Sequence, residues 1–177
     1  MKKYELTAEF IEKWGKKLFR IKALISFGSV EAGELGGYVE KEDNLAQDGD
    51  AWVCGNARVC GNARVYGNAE VCGNARVYGN ARVYGDAEVC DDADYLLIGR
   101  IGSRFSFTTF FKNKDKGITV SCGCFLGTIA EFRAKVTDTH GNNKHAKMYN
   151  LAADMAELQI LGEEHFDKLN TNKSEPF

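Results

Sequence analysis

Arginine and tyrosine recur at a fixed spacing in the middle of the chain, and this pair of side chains can bind a phosphorylated aromatic ligand. Arg64 and Tyr66 are followed 18 residues later by Arg82 and Tyr84, and Arg100 continues the arginine series. A guanidinium holds phosphate through paired hydrogen bonds, and a tyrosine ring offers a surface on which a base can stack. We therefore predict an anion-binding surface at these five residues.

This surface has an alternative interpretation that does not involve a ligand. Like charges stacked at strand spacing repel each other unless something compensates them. The compensating group could be water on a solvated face, or Glu70 and Glu88 of a neighbouring subunit.

A second candidate lies where a predicted strand passes through a glycine turn into a predicted helix, from Ile118 to Thr128. Helix-start amides attract anions, and residues 95–127 hold five Lys or Arg against one Asp. The alternative is an ordinary tight turn followed by a helix cap. The predicted ligand-binding residues here are Arg104, Thr109, Lys114, Ser121, Cys122, Gly123 and Thr128.

Cys122, Cys124 and His140 are the residues with the clearest potential for catalysis or metal binding in this region. They could form a metal site, or a nucleophile with its base. However, Cys-x-Cys lacks the usual two-residue zinc spacing, and no acidic partner for His140 can be identified. We therefore predict no catalytic residue, no metal and no cofactor.

A six-residue repeat positions the first candidate. From Val53 to Val89, hexads of the form Val-Cys/Tyr-Gly-Asn/Asp-Ala-Arg/Glu follow one another without interruption. Ala and Val alternate with polar residues, which predicts that Ala and Val point inward and that Arg, Glu, Cys and Tyr point outward. Gly-Asn or Gly-Asp makes each corner, and three corners close a coil of 18 residues. Residues 18 apart should then stack about 4.7–4.9 Å apart.

The fold class predicted from these patterns is mainly β, with four parts. Residues 1–40 form a β cap, residues 41–100 form a β-helix of about three coils, residues 101–162 form an α+β module, and residues 163–177 form a flexible tail. In the module we predict a hairpin around Asn113–Lys116, a helix from a Thr128–Glu131 capping box to His140, and a second helix from Lys144 to Leu161.

The chain from Tyr4 to about Tyr149 resembles phage and bacterial hexapeptide-repeat proteins that are often labelled transferases. The resemblance rests on the repeats and on Leu35-Gly-Gly-Tyr-Val-Glu-Lys-Glu-Asp-Asn44, Gly102-Ser-Arg104, Thr108-Thr-Phe-Phe111 and Val120-Ser-Cys-Gly-Cys-Phe125. It implies a left-handed parallel β-helix and a homotrimer. The acyltransferases that share this coil generally use a histidine on the β-helix, and here no His precedes His140.

Assembly is also expected from the outer surface of the coil. A thin prism of Val and Ala buries little apolar area, so we predict side-by-side association. The face that carries Trp52, Cys54, Cys72 and Cys90 is the candidate contact. Because four of the six Cys alternate with Tyr at one repeat position, we predict free thiols.

Composition excludes several classes of function. A net charge of −2 gives no general attraction to long nucleic acids or membranes. No apolar run approaches about 18 residues, and Met1-Lys2-Lys3 leads into polar sequence, so we expect a cytoplasmic protein.

These observations predict a non-enzymatic oligomeric protein that binds a small anionic ligand. If the chain is a viral protein from a phage, its expected role is anti-defence: sequestration of a cyclic nucleotide signal in the host cytoplasm. The alternatives are a hexapeptide-repeat acyltransferase and a structural or protein-binding module.

Overall fold

The computed structural model describes residues 1–171, with side chains as far as Asp167. The chain divides into two compact units, Met1–Asp92 and the part from Ala93 onward. Each unit is built around its own sheets.

The first unit begins with three strands: β1 (Tyr4–Lys13), β2 (Lys16–Ala23) and β3 (Leu35–Val39). Trp14 and Gly15 join β1 to β2, and both have a positive φ, as the favoured two-residue hairpin turn requires. β2 pairs with β3 in antiparallel fashion, and β3 then pairs in parallel with the repeat strand that begins at Arg58. The segment predicted to be a β cap is therefore joined to the repeats by backbone hydrogen bonds.

The repeats form seven two-residue strands, one in each hexad. They are β4 (Trp52–Val53), β5 (Arg58–Val59), β6 (Arg64–Val65), β7 (Glu70–Val71), β8 (Arg76–Val77), β9 (Arg82–Val83) and β10 (Glu88–Val89). All repeat pairings are parallel with a register of 18 residues, and they form three faces: β4–β7–β10, β3–β5–β8 and β6–β9. The predicted stacking period is confirmed.

The interior of the repeats contains the small side chains that the pattern predicts. Every Ala from Ala51 to Ala87 and every Val from Val53 to Val89 in the inward positions is fully buried. At the corners, Gly73 has φ +60, and a Cβ there would lie 2.6 Å from the carbonyl oxygen of Cys90. Glycine is thus required both by the dihedral angle and by the close stacking of the next rung.

Two predictions about the outer faces are wrong. Trp52 is only 4% exposed, because Tyr4 and Phe27 pack edge-on against its indole at centroid distances of 6.4 and 5.4 Å. Cys72 and Cys90 form a disulfide rather than free thiols, because the 18-residue register brings their Cα atoms within 4.5 Å. Among the described residues, Cys54, Cys60, Cys122 and Cys124 are free.

Asp92 terminates the β3–β5–β8 face. In the first two rungs of that face a backbone N–H donates to a carbonyl of the next rung, from Tyr38 to Ala57 and from Arg58 to Ala75. At the last rung the Arg76 N–H donates instead to Asp92 Oδ1 at 2.8 Å, and the Arg76 guanidinium forms an ion pair with the same carboxylate. The carboxylate therefore takes the place of a missing strand at an open edge.

The substitution Asp92→Asn is expected to destabilise the first unit by about 1 kcal/mol at neutral pH, a modest figure because the pair is partly exposed. The side-chain hydrogen bond from Arg76 lowers the pKa of Asp92 below its ordinary value of 3.8. A lowered carboxyl pKa gives stability that is present above 3.8 and is lost as the pH falls through the folded-state value. Urea denaturation followed by circular dichroism should show two curves that converge in acid. Asp86→Asn is the matched control, because Asp86 is an exposed corner residue that other hexads replace with Asn, and it should leave stability unchanged.

The second unit is an antiparallel sheet packed against helices. Its elements are β11 (Tyr95–Ile101), β12 (Ser106–Lys112), β13 (Ile118–Cys122), β14 (Phe125–Thr128), α1 (Ile129–His140), α2 (Lys144–Leu161) and α3 (Glu163–Thr171). The four strands pair in chain order. Phe110, Val120, Phe132 and Ala153 belong to its buried core.

The hairpin and the first two helices agree with the sequence predictions, but three details differ. Arg100 lies on β11, in an antiparallel sheet, and so does not continue the arginine series of the repeats. The β11 strand begins at Tyr95, before the predicted boundary at residue 100. Residues 163–171 form α3 rather than a flexible tail, and the rest of the predicted tail, 172–177, lies outside the described residues. In residues 1–171, no helix has the length and apolar character needed to cross a membrane.

Candidate functional site

The predicted ligand-binding residues fall into two groups that belong to different units. Arg64, Tyr66, Arg82 and Tyr84 lie together on the β6–β9 face, and we call them the Arg–Tyr column. In the second unit, three of the predicted residues line one cavity: Arg104, Cys122 and Gly123. The sequence therefore predicted parts of two surfaces rather than one site.

The Arg–Tyr column has the predicted stacking, but its surroundings are mixed in charge. The rings of Tyr66 and Tyr84 are parallel with centroids 4.5 Å apart, so each covers one face of the other. Burial is the main cause that raises the pKa of Tyr66 above its ordinary value. The adjoining cavity of about 450 Å³ is lined by Glu42 and Asp43 as well as by arginine. Those carboxylates reduce the attraction of the column for an anion.

The cavity of the second unit, which we call the cleft, has a different composition. Its volume is about 320 Å³. The residues that line it are Ser103, Arg104, Ser106, Cys122, Gly123, Phe125, Phe132, Lys135, Val136, Thr139, His140 and Tyr149. None of these twelve is acidic, two are basic (Arg104 and Lys135), and Phe125, Phe132 and Tyr149 supply aromatic surface.

Local structure explains how these side chains come to one place. The β12–β13 register opposes Thr108 and Cys122, and this pairing puts Cys122 at the end of its strand, before the positive-φ turn at Gly123. On α1, the lining residues Phe132, Lys135, Val136, Thr139 and His140 recur at intervals of three and four, which places them on one face of the helix.

Tyr149 connects the two sides of the cleft. Cys122 lies close enough to act on its hydroxyl, and its ring stacks on His140 with centroids 5.8 Å apart. Burial, followed by the effect of Cys122, raises its pKa to about 12, so Tyr149 is a neutral hydrogen-bonding group at physiological pH. A Cβ on Gly102 would lie 1.8 Å from the Tyr149 oxygen. Gly102 must therefore lack a side chain for Tyr149 to occupy this position.

The other predicted residues of the second unit do not line the cleft. Thr128 caps α1: its hydroxyl accepts from the Glu131 N–H at 3.3 Å, and the Glu131 carboxylate accepts from the Thr128 N–H at 2.8 Å. This carboxylate holds the position that an anion would take at the helix start. Thr109 and Ser121 are buried opposite each other in the sheet, and Lys114 is exposed in the β12–β13 turn.

Sequence reasoning missed the contribution of the helices to the cleft. Lys135, Thr139, Phe132 and Tyr149 were not singled out, and His140 was considered only as a catalytic or metal-binding residue. The spacing of three and four residues on α1 shows in the sequence that these side chains share one face of the helix. Which face of α1 meets the sheet depends on tertiary packing, and the sequence does not show it. Among residues 1–171, Cys122, Cys124 and His140 do not form a cluster with metal-binding geometry.

A comparison with known families bears on the first unit. The model of the YdcK beta solenoid repeat matches residues 57–73, 69–85 and 75–91. The repeat region is a β-solenoid. The match lies entirely within the parallel strands, so it concerns the fold of the solenoid and not the cleft. No curated protein matches the chain.

Proposed function

We propose that this β-solenoid protein binds a small phosphorylated ligand in the cleft of its second unit and holds it without chemical conversion. The observation that carries the proposal is the composition of the cleft: cationic Arg104 and Lys135 lie beside aromatic Phe125 and Phe132, with no acidic lining residue. Such a cavity combines phosphate recognition with a surface for an aromatic base.

The size of the cleft narrows the ligand class. Its volume of about 320 Å³ is at the lower end of the range for small-molecule sites, roughly 300–1,000 Å³. This volume suits one nucleotide, including a cyclic mononucleotide, better than a dinucleotide or a long acyl carrier. Lys135 also pairs with Asp138 at 3.2 Å, but both side chains are exposed, and such a pair exchanges easily for a phosphate contact.

The wider biological role that we propose follows from the resemblance stated above. The proposed role is that of a left-handed solenoid, encoded by a phage, that assembles as a homotrimer and sequesters a cyclic nucleotide in the host cytoplasm. The basic and aromatic lining of the cleft supports binding of such a ligand. Trp52 cannot contribute to a trimer contact, because Tyr4 and Phe27 of the same chain cover it. The trimer contacts would therefore lie on other surfaces.

An enzymatic alternative has one specific observation in its favour. Cys122 and His140 line the same cleft, as a nucleophile and a base would. Tyr149 lies close to both of them, stacking on the His140 ring and interacting with Cys122. An acyltransferase would bind acyl-CoA, turn it over, and lose turnover in a His140→Ala variant.

Native mass spectrometry of the purified protein, alone and with a panel of linear nucleotides, cyclic nucleotides and acyl-CoAs, tests the proposal. We expect a nucleotide to be retained at one per chain and to be released unchanged on denaturation. A chemically altered ligand, or turnover of acyl-CoA, would support the enzyme instead. The absence of an adduct across the panel would contradict ligand sequestration and favour a structural or protein-binding module.

A further inference from the structure

Three cysteines form a column on the β4–β7–β10 face, a feature that the proposed function does not use. Cys54, Cys72 and Cys90 each follow the valine of a strand on this face, and the strands pair in parallel at an 18-residue register. Backbone hydrogen bonds of 2.9 Å from Cys54 to Val71 and from Cys72 to Val89 fix the rungs. The three sulfur atoms therefore belong to a rigid, repeating scaffold.

A carboxylate joins this column. The Cys54 thiol donates to Glu70 Oε1 at 3.8 Å. The ligand atoms of Cys54, Glu70 and Cys72 all lie within 4.8 Å of one another, and all three residues are partly exposed. Two thiolates on one Zn²⁺ lie roughly 3.8 Å apart, given Zn–S bonds of about 2.3 Å and tetrahedral geometry. Small side-chain rotations would bring these atoms to that spacing.

We propose that the reduced protein binds Zn²⁺ through Cys54, Cys72 and Glu70, with the fourth position open to water. In the structure Cys72 and Cys90 are joined as a disulfide, so Cys72 cannot ligate while that bond is present. Breaking the bond supplies two thiols on adjacent rungs, next to the Cys54–Glu70 pair. Metal binding and the disulfide are then mutually exclusive states of one column.

The change from disulfide to metal site takes two steps, reduction of the Cys72–Cys90 bond and then binding of Zn²⁺. A dithiol reductant transfers two electrons and two protons to the Cys72–Cys90 bond and itself becomes a disulfide. Zn²⁺ then replaces the thiol protons of Cys54 and Cys72, which pass to solvent. Glu70 and Glu34 are both close enough for their charge to act on Cys54, and this negative charge attracts a cation.

Cobalt titration tests the site. Protein reduced with a dithiol, freed of reductant under anaerobic conditions and titrated with Co²⁺ should develop thiolate-to-cobalt charge-transfer absorption that saturates at one metal per chain. Zn²⁺ should abolish that absorption, because Zn²⁺ binds thiolate sites more tightly. The oxidised protein should give no such band.

Four variants make the test specific. Cys54→Ser should lose the charge-transfer band in reduced protein. Cys90→Ser that is purified under anaerobic conditions should bind Co²⁺ without a reduction step, since it lacks the Cys72–Cys90 bond. Glu70→Gln should keep the band and weaken binding at least roughly tenfold, as the loss of even an outer partner often does. Cys124→Ser, an exposed cysteine of the second unit, is the matched control and should behave as wild type.

Three outcomes of the cobalt titration would overturn the proposal. The first is a reduced wild type that shows no charge-transfer band. The second is a band of equal strength in Cys54→Ser. Loss of the band in Cys124→Ser would place the metal in the second unit and would equally refute a site on the solenoid. Circular dichroism of each variant separates loss of a ligand from loss of the fold.

Discussion

Replacing Trp52 with alanine is expected to destabilise the first unit by about 3–5 kcal/mol, the usual cost of removing a large buried aromatic side chain. Trp52 is 4% exposed and contacts the rings of Tyr4 and Phe27, so its loss leaves a cavity between the N-terminal strands and the first rung of the solenoid.

Trp14→Ala is the matched control, because Trp14 is 58% exposed at the tip of the β1–β2 hairpin. Urea denaturation followed by far-ultraviolet circular dichroism should give a large loss of stability for Trp52→Ala and a change within about 0.5 kcal/mol for Trp14→Ala. Equal effects of the two variants would contradict the role of Trp52 as the contact that anchors the cap.

The second large effect is a loss of nucleotide affinity, which we expect when Arg104 is replaced with alanine. A hydrogen bond to a charged group contributes about 1.5–3 kcal/mol, so Arg104→Ala should weaken binding of the retained nucleotide by roughly 10- to 150-fold. Isothermal titration calorimetry measures this change, and light scattering should show an unchanged oligomer. The affinity of the wild type should also fall with added salt, because the phosphate contacts are solvent-accessible.

One arginine variant and one lysine variant serve as controls for the measurement of nucleotide affinity. Arg82→Ala removes a cation of the Arg–Tyr column, and Lys114→Ala removes an exposed cation of the β12–β13 turn. Both should leave nucleotide affinity close to that of wild type, since neither residue lines the cleft. A loss in Arg82→Ala that equals the loss in Arg104→Ala would move the site to the solenoid.

The parts of the fold that could be predicted from the sequence are those encoded locally. A six-residue period with Ala and Val in fixed slots allows few structures besides a parallel coil, and Thr128 with Glu131 specifies a helix start through hydrogen bonds within four residues. The burial of Trp52 is not local, because it depends on Tyr4 and Phe27 returning from distant parts of the chain.

The candidate site was predicted only in part for the same reason. Arg104, Cys122 and Gly123 lie in a segment whose charge and turn could be recognised in the sequence, whereas Lys135 and Tyr149 join them only when α1 and α2 pack on the sheet. The disulfide shows a different limit. The 18-residue stacking of Cys72 and Cys90 follows from the period, and the alternation of Cys with Tyr at one repeat position predicts free thiols. The two cysteines form a disulfide because adjacent rungs bring their Cα atoms within 4.5 Å.

Hydrogen–deuterium exchange of the protein with and without saturating nucleotide tests most directly whether ligand binds in the cleft. Peptides that cover residues 103–106, 122–125 and 132–140 should exchange more slowly when nucleotide is bound, while peptides that cover residues 64–84 should be unchanged. Protection confined to residues 64–84 would assign the ligand to the Arg–Tyr column. Unchanged exchange across both regions would contradict nucleotide binding at the cleft.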